Sequence, residues 1–145
     1  MQTKRLTDRL TQYWGLLKKD EEMPAFGKFN SAALDDVWDY CVMLTVNKSA
    51  SETKSYTFYR MGSKVKSIYG EDFTGSSVTA KHKGFKGATI IKRMDEVVKN
   101  HEPVYDSGQF INNNNKIVKF RSCLLPFGNN SEVTHVIAGI SWREF

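Results

Sequence analysis

Leu6, Leu10, Tyr13 or Trp14, and Leu17 recur at spacings of three and four with charged residues between them, the period of an amphipathic helix. The pattern predicts a helix from the beginning of the chain to about Lys19. Asp20-Glu21-Glu22-Met23-Pro24 ends it, because Pro24 pushes the preceding residue out of helical geometry and carboxylates are unfavourable at a helix C-terminus. Residues 25–30 read as a loop, with Asn30 or Ser31 placed to cap a short helical turn over Ala32, Ala33 and Leu34. Trp38 leads into an apolar, β-branched run from Asp39 to Asn47, a strand buried on both faces. The polar segment 48–53 turns into a second strand, Lys54 to Met61. Strict alternation would put Tyr56, Phe58 and Arg60 on one face and Thr57, Tyr59 and Met61 on the other.

Gly62-Ser63 opens a short helix, Lys64 to Tyr69, with Val65, Ile68 and Tyr69 inward and Gly70 as its stop. Residues 71–84 carry no clear period. From Phe85 to His101 the helical period returns through Ile91, Met94, Val97, Val98 and His101, with Lys92, Arg93, Glu96 and Lys99 facing out, and Pro103 ends it. Three period-two runs follow, Val104 to Ile111, Lys116 to Phe127 and Val133 to Trp142, separated by Asn112-Asn113-Asn114-Asn115 and Gly128-Asn129-Asn130-Ser131. Such short polar breaks are hairpin turns, so the strands are antiparallel; parallel neighbours would need helical crossovers. The expected fold is α+β, built on a five-stranded antiparallel sheet.

At 145 residues the chain forms one compact unit and has no room for two. Nine Phe, six Tyr and three Trp supply a core large enough to need no staples. Cys41 and Cys123 lack metal-ligand or redox-motif spacing and read as reduced core residues. No apolar run is long enough to span a membrane and no secretory core follows Met1, so a cytoplasmic location and no membrane partner are expected. The net charge of +5 is spread along the chain. Clusters such as Lys64-Val65-Lys66 and Lys81-His82-Lys83 read as solvated surface rather than a nucleic-acid groove.

Tyr59-Arg60-Met61-Gly62, followed by Val65 and then Ile68-Tyr69-Gly70-Glu71-Asp72-Phe73-Thr74-Gly75, resembles a subfamily of PAS (Per-Arnt-Sim) domains. In the short stand-alone PAS proteins of alphaproteobacteria, a second strand ending in Tyr-Arg-Leu and glycine runs into a small helix closed by Gly-x-Asp-x-Thr-Gly. Gly70, Asp72, Thr74 and Gly75 match that closure. Tyr13-Trp14 with Leu17, Pro24, Leu124-Leu125-Pro126 and the closing Ile137-Ala138-Gly139-Ile140-Ser141-Trp142 extend the resemblance over nearly the whole chain. The four consecutive asparagines depart from the family's less polar turn. The resemblance implies a sheet covered on one face by the middle helices, around a core that in some relatives holds haem, flavin or a metabolite. It also implies an extra N-terminal amphipathic helix (residues 1–24 with its linker) beside a PAS-like unit (residues 25–145). That helix would pack on the other sheet face and mediate a homodimer or partner contact, with Leu6, Leu10, Tyr13, Trp14 and Leu17 as the contact residues.

The chemistry needed for catalysis is not assembled. A haem iron would need an axial ligand, but His82 falls in a loop, His101 at a helix end and His135 on a strand surface. A flavin photosensor would need a cysteine on the small helices, whereas Cys41 and Cys123 fall on strands. There is no nucleophile elbow, no phosphate loop and no His-Glu-x-x-His pair; Gly84-Phe85-Lys86-Gly87 is not a phosphate loop, and Asp35-Asp36 reads as a solvated cap. No catalytic or metal residues are therefore assigned, no cofactor is required, and haem and flavin are disfavoured. A ligand pocket, if unfilled volume exists, would be lined by Tyr59, Met61, Phe73, Ile91, Met94, Phe120, Leu124, Ile140 and Trp142.

The expected function is that of a sensory or protein-interaction domain, not an enzyme, in which a small metabolite or protein partner biases packing between the leading helix and the sheet. Because Phe145 follows Trp142 by three residues, no output helix is expected after the sheet and the signal would pass to a separate protein. Two alternatives differ in kind. One is a cone-shaped α+β enzyme of the steroid isomerase-like class, marked by a carboxylate of raised pKa in a cavity. The other is a basic nucleic-acid module using Lys64, Lys66, Lys81, Lys83, Lys92 and Arg93, which is disfavoured because the aromatics fall at buried positions.

Overall fold

The structure, a computed structural model, describes residues 5–48, 54–78, 87–112, 114–129 and 132–145. Helix α1 (Leu6–Lys18) follows the predicted apolar stripe and buries Leu10 and Trp14. Residues 26–28, 31–34 and 38–40 form short 3-10 turns, and the Asn30 side chain caps the second by accepting from the Ala32 amide at 3.0 Å. The Phe26–Lys28 turn stands where a plain loop is expected, and Trp38–Tyr40 coils where a strand was expected to begin. The strand starts only at Cys41, whose amide closes that turn on the Trp38 carbonyl.

Strands β1 (Cys41–Lys48) and β2 (Lys54–Met61) precede helices α2 (Ser63–Tyr69) and α3 (Gly87–Asn100), after which β3 (Val104–Ile111), β4 (Ile117–Asn129) and β5 (Glu132–Glu144) complete the chain. The sheet order is β2-β1-β5-β4-β3 and every pairing is antiparallel. The last strand in sequence is thus the central one, and its neighbours on both sides fix its register. Turn residues 49–53, 113, 130 and 131 lie outside the described residues, as do His82 and the Lys81-His82-Lys83 run.

The face assignment for β2 needs correction. Met43 pairs with Arg60 but Leu44 pairs with Phe58, leaving Tyr59 as an extra residue in a β-bulge. A bulge reverses the side-chain parity beyond it. Tyr56, Phe58 and Met61 are therefore the buried residues of the strand, while Tyr59 and Arg60 face out. Simple alternation grouped Tyr59 with Met61 because composition alone does not mark a bulge.

After Met61 the chain turns sharply. A side chain at Gly62 would run into the Asp39 carbonyl, so the close approach of α2 to the preceding turn requires glycine. Gly70 ends α2 in the left-handed conformation at φ 75°. Asp72 then accepts from the Thr74 amide at 3.0 Å and hydroxyl at 2.5 Å, and Gly75 adopts φ 88°. This turn lays residues 75–78 along the free edge of β2, with bonds from Gly75 N to Phe58 O, Phe58 N to Ser76 O and Val78 N to Tyr56 O. The Gly-x-Asp-x-Thr-Gly closure therefore covers an edge strand that would otherwise be open to pairing.

Helix α3 buries Ile90, Met94, Val97 and Val98. Arg93, expected to face solvent, instead bridges to Glu96 at 2.8 Å and to Asp106 on β3 at 3.3 Å, because the helix leans on the sheet along that side. Phe85 and Lys86 lie outside the described residues.

The bulge yields a prediction on stability. Met61→Ala should lower unfolding free energy by about 2–5 kcal/mol, as for a buried side chain, whereas Tyr59→Ala should cost under about 1 kcal/mol. Urea unfolding of the two variants measures this; comparable losses would mean that Tyr59 is core.

Candidate functional site

Two adjacent residues of β3 identify the faces of the sheet. The Tyr105 hydroxyl is 3.0 Å from Thr11 on α1, whereas Asp106 pairs with Arg93 on α3. Consecutive strand residues point to opposite faces, so α1 lies on one face, called outer here, and α3 on the other, inner, face.

On the inner face a chain of rings crosses from one edge strand to the other. Phe58 on β2 meets Phe73 at 5.5 Å between centroids, Phe73 meets Tyr69 of α2 at 6.3 Å, Tyr69 stacks on Phe110 of β3 at 5.3 Å, and Phe110 meets Phe120 at 6.0 Å. Of the nine expected pocket residues, Met61, Phe73, Met94, Leu124 and Ile140 are buried in this core. The Met61 sulfur also accepts from the Phe73 amide at 3.1 Å. Ile91, Phe120 and Trp142 are partly buried, with Trp142 5.4 Å from Tyr40. Tyr59 does not join them: it is 47% exposed and its ring stands 6.5 Å from His135. Phe58, Tyr69 and Phe110 are the ring-chain members that the candidate set omits. Phe110 was legible from the period-two pattern starting at Val104; Phe58 was hidden by the parity error.

The outer face is closed by α1 and the 26–40 segment. Leu10 sits over Gly139 at the centre of β5, where any side chain would strike Leu10 Cδ1. Cys41 and Cys123 flank Gly139 in the register. Trp14 Nε1 donates to the Pro126 carbonyl at 2.7 Å. Leu6, Tyr13 and Leu17 pack partly buried on the same core, so all five residues expected to meet a partner helix are engaged with the core of their own chain. Leu16, on the opposite side of α1, is 71% exposed. Further along, Phe26 stacks face to face on His135 at 3.7 Å.

The shifted groups owe their shifts to burial and to local hydrogen bonds. Burial pushes both the Cys41 and Cys123 thiols up to about 12, which makes them inert. Burial, then the hydrogen bond to Asp95, raises the Tyr56 hydroxyl, and burial raises Tyr69. Asp36 is held below the usual carboxylate range by the hydrogen bond from Arg9, which ties α1 to the 31–34 turn. His101 meets Glu22 at 2.9 Å. Among the described residues no three His, Cys, Asp or Glu side chains converge as a metal site, and no helix is long and apolar enough to cross a membrane.

A family model described as PAS domain matches residues 2–141. Among solved structures, the wild-type Drosophila melanogaster Cycle PAS-B domain with bound ethylene glycol aligns at 16% identity, covering 71% of this chain and 99% of that chain with a TM-score of 0.50. The PAS domain of a protein from Colwellia psychrerythraea aligns at 12% identity, covering 79% of this chain and 95% of that chain, also with a TM-score of 0.50. At such identities the likeness concerns the fold. No curated protein matches.

The stack on Phe26 makes His135 a pH probe for the outer face. Burial lowers its pKa from the usual 6.5, so the folded protein favours the neutral ring and the unfolded chain takes the proton first. Stability should therefore decline as pH falls below about 6.5, and His135→Phe, which keeps the stack, should flatten that decline. Unfolding midpoints between pH 7.5 and pH 5.5 measure it; an unchanged slope in the variant would contradict this environment for His135.

Proposed function

The chain belongs to the PAS-domain family, and on that basis we propose that it is a sensory or protein-interaction module that acts by binding rather than catalysis. A small ligand in the inner core, or a protein on the outer side, shifts the packing of α1 on the sheet, and a separate protein reads the shift. In this account residues 25–145 are the sensing unit and residues 1–24 the helix and linker that carry its state. The setting is bacterial, cytoplasmic signalling, as in the short PAS proteins that the sequence resembles.

The observation that carries this reading is the alternation in the middle of β5. Ala138 and Ile140 face the inner core while Gly139 between them seats Leu10 of α1. A displacement of the inner layer reaches α1 across the thickness of one strand. Ligand-lining residues under this proposal are Met61, Phe73, Met94, Leu124 and Ile140, with Ile91, Phe120 and Trp142 at the margin. Release of α1 would free Leu10 and Trp14, together with Leu6, Tyr13 and Leu17, to meet a second copy or another protein.

Native mass spectrometry with an absorption spectrum, on protein purified from its own host, tests this. A stoichiometric small molecule or second chain should be retained. A bare chain under gentle conditions, with unchanged α1 exchange protection in host extract, would contradict the binding role.

A further inference from the structure

The outer face beyond α1 is layered in rows, since directly opposed residues of antiparallel strands share a face. Tyr105, Cys123 and Gly139 form the row beside Leu10. Next come Ser107, Arg121 and Ser141, then Gln109, Lys119 and Arg143. Ile111 and Ile117 form the last row, joined by Phe145, whose amide bonds to the Ile117 carbonyl at 2.8 Å. Each row lies about 7 Å from the next. α1 covers Cys123 and Gly139 of the first row, while Tyr105, Arg121, Lys119 and Arg143 are exposed.

The Ser107 and Gln109 rows, with Phe145 and with Arg5 at the start of α1, line an open groove of about 800 Å³, and Ile111 and Ile117 stand beyond its margin. Among the described residues Arg5, Lys119, Arg121 and Arg143 form no salt bridge, and Lys119 instead lies 5.0 Å over the Phe145 ring. Asp8 lines the neighbouring groove with Arg5 and Arg121. The apolar row is open: Ile111 is 65%, Ile117 42% and Phe145 63% exposed. Four cations without a salt bridge among the described residues, leading to an apolar margin, leave an excess of positive charge and a hydrophobic step on one surface.

We propose that this groove is the docking surface for an acidic, amphipathic segment of a partner protein, its carboxylates on Arg5, Lys119, Arg121 and Arg143 and its apolar side chains on Ile111, Ile117 and Phe145. The proposal rests on the binding role above and names the surface and chemistry through which its output would pass. A symmetric pairing of this surface with a second copy does not fit, because the same basic rows would face each other. Single-stranded nucleic acid fits less well, because it needs free ring faces along the groove, whereas the Phe145 ring is held under Lys119 and the isoleucines offer no stacking surface.

Fluorescence anisotropy with a dye-labelled amphipathic peptide of glutamate and leucine tests it. Arg121→Glu with Arg143→Glu should weaken binding by about tenfold or more, and Ile117→Ser should weaken it without altering the salt dependence. Lys92→Glu with Lys99→Glu, an equal charge change on exposed positions of α3, should leave it unchanged. No binding by the unaltered protein, equal loss in both double variants, or preferential capture of oligo(dT) or anionic vesicles through the same arginines would overturn it. A ligand retained in native mass spectrometry alongside a failed peptide experiment would refute this surface while leaving the binding role intact.

Discussion

The constraint on which the rest depends is that β5 is central in the sheet and packed on both faces. Its side chains must serve two layers in strict alternation. Ala138 and Ile140 belong to the inner core, and Gly139 must be empty because Leu10 occupies the space a side chain would need. Both neighbouring strands hold this register, β1 through Cys41 to Thr45 and β4 along nearly its whole length. The hydrophobic effect gathers both layers, and the open space at Gly139 lets Leu10 seat α1 against the centre of the sheet.

Much of the fold was legible because local rules and tertiary packing agree. The Leu6-to-Leu17 stripe, the bounds of β2, the inward trio Val65, Ile68 and Tyr69, the Gly70 stop and the three closing hairpin strands all follow from period and turn chemistry. The Gly-x-Asp-x-Thr-Gly closure was recognisable as a pattern, but its purpose, covering the edge of β2, appears only once strand order is known. What stayed hidden depended on the third dimension. The bulge at Tyr59 reverses parity without any compositional mark, and Arg93 turns to Asp106 because of how α3 leans. Of the pocket candidates, Met94, Leu124 and Ile140, which lie on uninterrupted periods, are buried together, whereas Tyr59 stands exposed.

Function follows from separating the two faces. The inner layer is a continuous chain of rings linking β2, α2 and β3. The outer layer is α1 with the 26–40 segment beside it, the helix being seated over Gly139 and tied by Arg9 to Asp36 and by Trp14 to the Pro126 carbonyl. Beyond that helix the same face opens into basic and apolar rows. One sheet therefore carries a packed interior on one side and a partly free surface on the other.

A double-mutant cycle between Leu10→Ala on α1 and Ile140→Val on the inner face measures whether the two layers are coupled through β5. The account predicts a coupling of at least about 0.5 kcal/mol in unfolding free energy, beyond the scatter of independent sites. Additive losses would show that the layers respond separately, and α1 could not then report on the core.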